Sequence, residues 1–597
     1  MRRSSSAATT TTDPVLWAVL ATLAIAFPTL IAYNVAPSAT FFNQAAAFVG
    51  WGGFLMVLAA SLARRMVPAS TGSYALLGSL VILIAAAFAA SVFAAVPWPL
   101  SLSSAGTMLA AVLAVAIAAS IQRAGLGERA FQACCIALTV AGIASSVIGL
   151  MQVFAPNLPD GEWIAVAAIA GRATGNLRQP NHLSSLLLWS IVAVLWLGER
   201  RVIYREIAAV LAVLFVWVVM LSASRTGAIG VATLAVWGLL DRRLSRTTRL
   251  VLLALPVAFA LLWGGTAMWA HATQQAFGAE ARFTGSGIYV SYSRYGIWAN
   301  ALSMIAMHPW LGVGFGEFNF AWTLTPFPGR PTAFFDHAHN IALQFAVELG
   351  LPLATAVLGL MGYALWQAWR TARDAAGTMQ RAAFVMVLMA GMHSLLEYPL
   401  WYSYFLLPVA FFFGLCLERP EGDDAAVAAQ GEAGHATPRT SVAFVVASIA
   451  LVLGGALALA DYRRVVVIFE PPADAAPLDK RIATGRRSIF FGHHADYAAA
   501  TVAEHPGKVI SAFKRAPHYL LDARLMQAWA IALDENGETD KASYVAQRLK
   551  EFRNDQSADF FAPCAAAGAS SASGAAAGGQ PFQCRQPIGP LEFGNFR

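Results

Sequence analysis

With 597 residues, 58% hydrophobic and only 12% charged side chains, and a mean hydropathy of +0.58, the chain is excluded from the soluble globular class, and most of it belongs in lipid. Its net charge of +7 rests largely on arginines between apolar stretches. The charge therefore reports membrane topology and contact with anionic lipid rather than nucleic-acid binding, for which no module is visible.

Crossing a bilayer takes roughly 20 apolar residues, and about thirteen stretches approach that length. They lie near 15–35, 41–62, 73–96, 101–121, 130–153, 181–198, 206–222, 226–240, 250–270, 338–363, 382–397, 401–417 and 441–460. The first follows Arg2 and Arg3 but precedes no small-x-small cleavage site, and it reads as a retained anchor. Basic clusters recur after every two spans: Arg2-Arg3, Arg64-Arg65, Arg123 with Arg129, Arg200-Arg201-Arg205, Arg242-Arg243-Arg246-Arg249 and Arg370-Arg373-Arg381. Positive charge resists translocation, so this alternation sets the N-terminus in the cytoplasm. The fold class expected is an all-α polytopic membrane protein with a large outward loop and a helical C-terminal tail, also outside.

By composition the chain divides into a membrane body over 1–417, a polar cytoplasmic linker over 418–440, a last span at 441–460 and a tail over 461–597. Within the body two outward loops, about 154–180 and 271–337, exceed simple turns, and the second is rich in aromatics suited to an interfacial layer. In the tail, the apolar spacing from Tyr519 through Trp529 and Leu533, then Gly537, then Ala542 to Leu549 reads as a helix–turn–helix pair similar to one tetratricopeptide unit. The Ala/Gly/Ser-rich segment after Cys564 reads as disordered. Outside the cytoplasm disulfides persist, so Cys564 and Cys584 are either bridged or two unpaired thiols.

This threading sends nearly every chemically interesting residue to the outer face. Arg225 ends the seventh span and Arg294 lies in the second outward loop; each is either an interfacial arginine or a phosphate clamp, since guanidinium binds phosphate oxygens bidentately. His337 and His339 flank Ala338, with Asp336 available to cap the tenth span and Asn340 following. A spacing of two does not put metal ligands on one helix face, so no metal is expected. A neutral imidazole there suits a general base acting on a hydroxyl, or simply a hydrogen-bonded helix start. His393 and Glu397, four apart and followed by Tyr398, share a helix face as a structural pair or an acceptor-binding one. Glu348, about 13 Å further along a helix rising 1.5 Å per residue, reads as too far to orient His339.

Taken in order, these segments resemble the O-antigen ligase/polymerase superfamily, and within it the bacterial protein O-oligosaccharyltransferases of the PglL type. The resemblance is carried by Gly175-Asn176-Leu177-Arg178-Gln179-Pro180-Asn181-His182, Ser224-Arg225-Thr226-Gly227, Ser293-Arg294-Tyr295-Gly296-Ile297-Trp298, His308-Pro309-Trp310-Leu311-Gly312-Val313-Gly314, Asp336-His337-Ala338-His339-Asn340 and Glu397-Tyr398-Pro399-Leu400-Trp401. The superfamily's signature, His-Asn and then Gly after nine residues, is met by His339, Asn340 and Gly350; Leu353 stands where it often closes in Gly, Thr or Tyr. The resemblance implies en bloc transfer of an oligosaccharide from undecaprenyl diphosphate to an acceptor hydroxyl at the periplasmic face of the bacterial inner membrane, without metal or other cofactor. It implies His339 as the catalytic base, Arg225 and Arg294 on the diphosphate, and supporting or acceptor-binding roles for Arg178, Gln179, Asn181, His182, His337, Asn340, His393, Glu397 and Tyr398. The partners implied are the undecaprenyl-linked glycan, periplasmic acceptor proteins and membrane lipid. Joining the glycan to lipid A core is the nearest alternative. A transporter would instead collect ionisable residues near mid-membrane.

Overall fold

A computed structural model describes residues 13–62, 69–283, 294–375, 377–420, 439–564 and 580–597. Arg2, Arg3, Arg64, Arg65, Ser293, most of the 418–440 linker and the segment after Cys564 expected to be disordered lie outside the described residues. Among those described there is helix and loop but no strand. In hydrocarbon a helix satisfies its own backbone, and the apolar composition allows little else.

A helix occupies each of the thirteen expected span positions, and eight are long and apolar enough to cross a membrane. The others, Pro14–Leu30, Arg205–Leu221, Arg225–Leu240, Met379–Ser394 and Ser403–Leu417, have 15 to 17 residues. Length and composition thus establish a multi-pass helical membrane protein and not the number of crossings. Helix starts carry recognisable caps. Asp13 accepts from the Val15 amide, Gln179 from the amides of Asn181 and His182, Ser224 from Gly227 and Ser245 from Thr248.

Contacts group the chain into two compact units that cut across sequence order: 1–81 with 107–287 and 359–459, and 82–106 with 288–358 and 460–597. The first is a helix bundle around Pro180–Glu199, whose 18-residue apolar window is 100% buried. Neighbours come close because they present glycine: a Cβ on Gly142 would lie 2.7 Å from that of Ser190, and one on Gly230 would lie 2.2 Å from Leu188. Polar side chains tie the same helix to its neighbours, Trp189 Nε1 donating to the Met386 carbonyl (3.0 Å) and Ser190 Oγ to that of Leu138 (2.8 Å).

In the second unit the tail helices Leu478–Gly485, Gly492–Val502, Ala523–Glu535 and Thr539–Glu551 share one core with the aromatic loop. Arg330 is fully buried there. Its guanidinium donates to the carbonyls of Thr323 (3.1 Å) and Thr325, pairs with Glu551 (3.1 Å) and lies over the Phe552 ring. Burial of the cation pulls its pKa down to about 10, with Glu551 opposing. Cys564 and Cys584 are joined by a disulfide, and the strap that follows returns Phe593 and Phe596 to the core. The helix Ile341–Asp374 is broken at Gly350, at φ 73°, because segment 309–314 crosses it closely. A Cβ on Gly350 would meet the Trp310 carbonyl oxygen at 2.4 Å, and Val313 N, Gly314 N and Leu351 N bond across this crossing. The glycine of the His-Asn-Gly signature is thereby a place where two backbones touch.

Candidate active site

The sequence-selected residues fall into two groups, one in each unit. In the bundle they gather at the start of Pro180–Glu199, where Gln179 caps the helix and Pro180 fills its first position. Asn181 Nδ2 donates to Glu397 Oε1 (2.9 Å), and Ser224 Oγ donates to Asn181 Oδ1 (2.7 Å). Because a carboxylate only accepts, the Asn181 amide has a single orientation. Ser224 also caps Arg225–Leu240, so Arg225 opens that helix and remains exposed. His182 Nδ1 meets the Tyr404 hydroxyl at 3.2 Å, and His393 Nδ1 meets Ser185 Oγ at 2.8 Å. Tyr398 stacks on Tyr402, which packs edge-on to His182. The Gln-Pro-Asn-His, Ser-Arg-Thr-Gly and Glu-Tyr-Pro-Leu-Trp segments, far apart in sequence, thus form one network. The helix ends at Ser394, short of Glu397, so His393 and Glu397 do not share its face as expected; each reaches Pro180–Glu199 instead.

Arg178 is held at φ 56°, and its guanidinium donates to the carbonyls of Ala32 and Ala39 (3.1 Å), tying two loops together. Nearby, Ala223 at φ 52° turns the chain into Ser224. Residues with side chains seldom adopt this left-handed region, and such outliers concentrate at functional turns.

In the second unit Arg294 is the first described residue of the helix Arg294–Met307, whereas in the bundle Arg225 follows the cap of its own helix. At the Arg225 end the helix dipole adds to the guanidinium. His337, Ala338 and His339 form a turn ahead of the helix that begins at Ile341. Asn340, not Asp336, is its cap: Asn340 Oδ1 accepts from the amides of Ala342 (3.0 Å) and Leu343 (3.1 Å). Asp336 instead pairs with His337 Nδ1 at 3.1 Å. The crowding around Asp336 opposes its charge, but His337 and His339 prevail and hold its carboxyl at about 2. His339 sits at φ 54°, with Nδ1 3.0 Å from the His337 carbonyl and its ring edge-on to Phe335. A carbonyl can only accept, so Nδ1 carries a proton and donates here.

Sequence reasoning passed over Gln344 and set Glu348 aside. In the structure Gln344 Oε1 accepts from the Ala338 amide (2.7 Å), and its Nε2 donates to Glu348 Oε1 (2.9 Å), so Glu348 bonds Gln344 rather than the His339 ring. Also missed was Arg172, buried, with Nε donating to the Ser222 carbonyl at 2.8 Å beside the Ser224-Arg225 turn. The available signal was a polar residue inside or beside an apolar run. Among the described residues no group of three or more His, Cys, Asp or Glu is arranged to hold a metal.

Comparison with known proteins gives three family matches: O-Antigen ligase over residues 210–358, Protein glycosylation ligase over 173–197, and Virulence factor membrane-bound polymerase, C-terminal, over 381–561. Over these segments the chain is similar to O-antigen ligase and protein glycosylation ligase proteins. Among individual proteins it is similar to a General O-oligosaccharyltransferase of Acinetobacter baylyi, 28% identical over 249 residues, covering 41% of this chain and 43% of that protein. It is also similar to a ComP-specific O-oligosaccharyltransferase of the same organism, 24% identical over 255 residues, covering 41% and 44%. The matched region thus spans less than half the length of either relative.

Proposed function

We propose that the protein is a glycosyltransferase that moves an oligosaccharide en bloc from undecaprenyl diphosphate to Ser or Thr hydroxyls of periplasmic proteins. The observation that carries this reading is the His339 turn, whose Nδ1 is committed to a carbonyl so that Nε2 is the basic nitrogen. The protein glycosylation ligase match, which holds Arg178 through His182, and the O-oligosaccharyltransferase names of both relatives support the protein acceptor. In this reading the acceptor oxygen attacks the anomeric carbon and its proton passes to His339 Nε2. The bond from the sugar to the diphosphate breaks, the configuration inverts, and undecaprenyl diphosphate leaves. Arg225 and Arg294 take the phosphate oxygens on which charge develops. Asn181, His182, His393, Glu397 and Tyr398 shape the bundle's polar network for the acceptor or carrier. Thirteen crossings, with the N-terminus in the cytoplasm, would put these residues and the tail in the periplasm.

The O-antigen ligase match spans Arg225, Arg294 and His339, and it favours lipid A core as the alternative acceptor. Expression with a lipid-linked glycan, followed by mass spectrometry of periplasmic proteins and of lipid A, separates the two. Glycan on Ser or Thr is expected; glycan on lipid A core alone overturns the protein-directed reading.

A further inference from the structure

The residue between the two histidines is held from both sides. The Ala338 amide donates to Gln344 Oε1 at 2.7 Å, and its carbonyl accepts from Trp298 Nε1 at 3.0 Å. Gln344 is oriented in turn, its Nε2 donating to Glu348 Oε1 at 2.9 Å. Both side chains are buried, at 2% and 3% exposure, so an interior carboxylate is spent on fixing an amide. Glu348 is itself fastened to the 309–318 crossing: its carboxylate accepts from the Phe318 amide (3.4 Å) and its backbone carbonyl from Gly314 (2.9 Å). The start of the helix does not require any of this, because Asn340 already caps it. What the additional bonds fix is the peptide on which His339 is mounted, in a left-handed conformation that side-chain-bearing residues rarely hold unaided.

We propose that Gln344, Glu348 and the indole of Trp298 are positioning residues that set the direction of the His339 imidazole for transfer. The inference rests on the base role proposed for His339 above. A reacting group displaced by about 1 Å loses about 10²-fold in rate, so a relay that touches no substrate can control turnover.

The test uses the purified full chain with a polyprenyl-diphosphate-linked oligosaccharide and an acceptor protein, alongside hydrogen exchange at the Ala338 amide. Gln344→Leu is expected to lower kcat roughly 10- to 100-fold, leave the donor KM within about twofold and speed Ala338 exchange. Trp298→Phe keeps a ring but loses the N–H, and it should lower kcat several-fold. Glu348→Gln retains a carbonyl acceptor and should recover much of what Glu348→Leu loses. Should Gln344→Leu fail to fold, Trp298→Phe decides. Parental kcat and unchanged exchange in Gln344→Leu and Trp298→Phe, with His339→Ala inactive, overturn the positioning inference alone. Parental turnover by His339→Ala instead overturns the base reading and the catalytic purpose of the relay, while the exchange rates separately decide whether Gln344 holds Ala338.

Discussion

The polar groups at the two candidate sites combine their bonds in different proportions. At the start of Pro180–Glu199 most contacts join side chains, Asn181 with Glu397, Ser224 with Asn181, His182 with Tyr404 and His393 with Ser185, with Arg178 bonding carbonyls beside them. In the second unit, side chains serve the backbone: Gln344 and Trp298 hold Ala338, His339 holds the His337 carbonyl, and Arg330 holds those of Thr323 and Thr325. The difference follows from the local backbone. Inside a helix the backbone groups are already paired, so polar side chains pair with one another or share a carbonyl, as Trp189 and Ser190 do. An irregular layer leaves amides and carbonyls exposed, and its side chains are drawn to them.

The comparison breaks most visibly at His339. A positioned base contributes about 10²- to 10⁴-fold, so His339→Ala should remain inserted, retain the lipid-linked glycan and lose that factor in transfer rate. Parental turnover of the purified variant would remove the base from the mechanism. In the bundle, Asn181→Ala removes the amide that Glu397 Oε1 and the Ser224 hydroxyl share. Unsatisfied buried groups cost about 1–3 kcal/mol each, so the Tm of the detergent-solubilised protein should drop clearly below that of the parent. A Tm equal to the parent's would mean water replaces the lost amide. Arg225→Lys and Arg294→Lys keep the charge but lose the forked geometry, and turnover should fall about tenfold in each. Full activity in both would leave point charge sufficient.

The smallest expected effect is one of pH, and it belongs to the second unit. Burial lowers the pKa of His493, with His494 and Arg515 adding to the effect, and burial brings His494 to about 3. Below the unfolded value of about 6.5 the unfolded chain takes up protons that the folded tail refuses. Their contribution is complete above that pH and is lost as pH falls towards 3. Thermal unfolding of the full chain should show Tm declining over this window, and His494→Phe should flatten the decline. An identical slope in the variant would assign the acid response to other groups.

How far this was legible in the sequence depends on the range of each interaction. Apolar length alone located the helices, and composition marked the tail as helical. The aromatic loop showed as dense in rings, but not as sharing a core with Trp529 and Phe552, because nothing local links residues two hundred positions apart. Asp336 and Asn340 compete as caps by residue type, and only geometry chose Asn340. Gln344 and Glu348, four apart, were readable as helix-face neighbours. That the face turns back on Ala338 depends on a turn whose key residue, His339, adopts a conformation no propensity would assign it. Gly350 stood out in the sequence only as a signature glycine, and that two backbones meet there is read from the structure.

The layout of the second unit also sets a timetable. His339 emerges from the ribosome about 250 residues before Phe593 and Phe596, which help to close its core. At roughly 5–20 residues per second, translation leaves that core unfinished for about 13 to 50 seconds. Until then the aromatic loop lacks the rings and the Arg330 partner that cover it. A chain stopped between 340 and 518 would carry every proposed reacting residue but neither those rings nor Glu551, so on this reading competence waits for the tail rather than for the catalytic residues themselves.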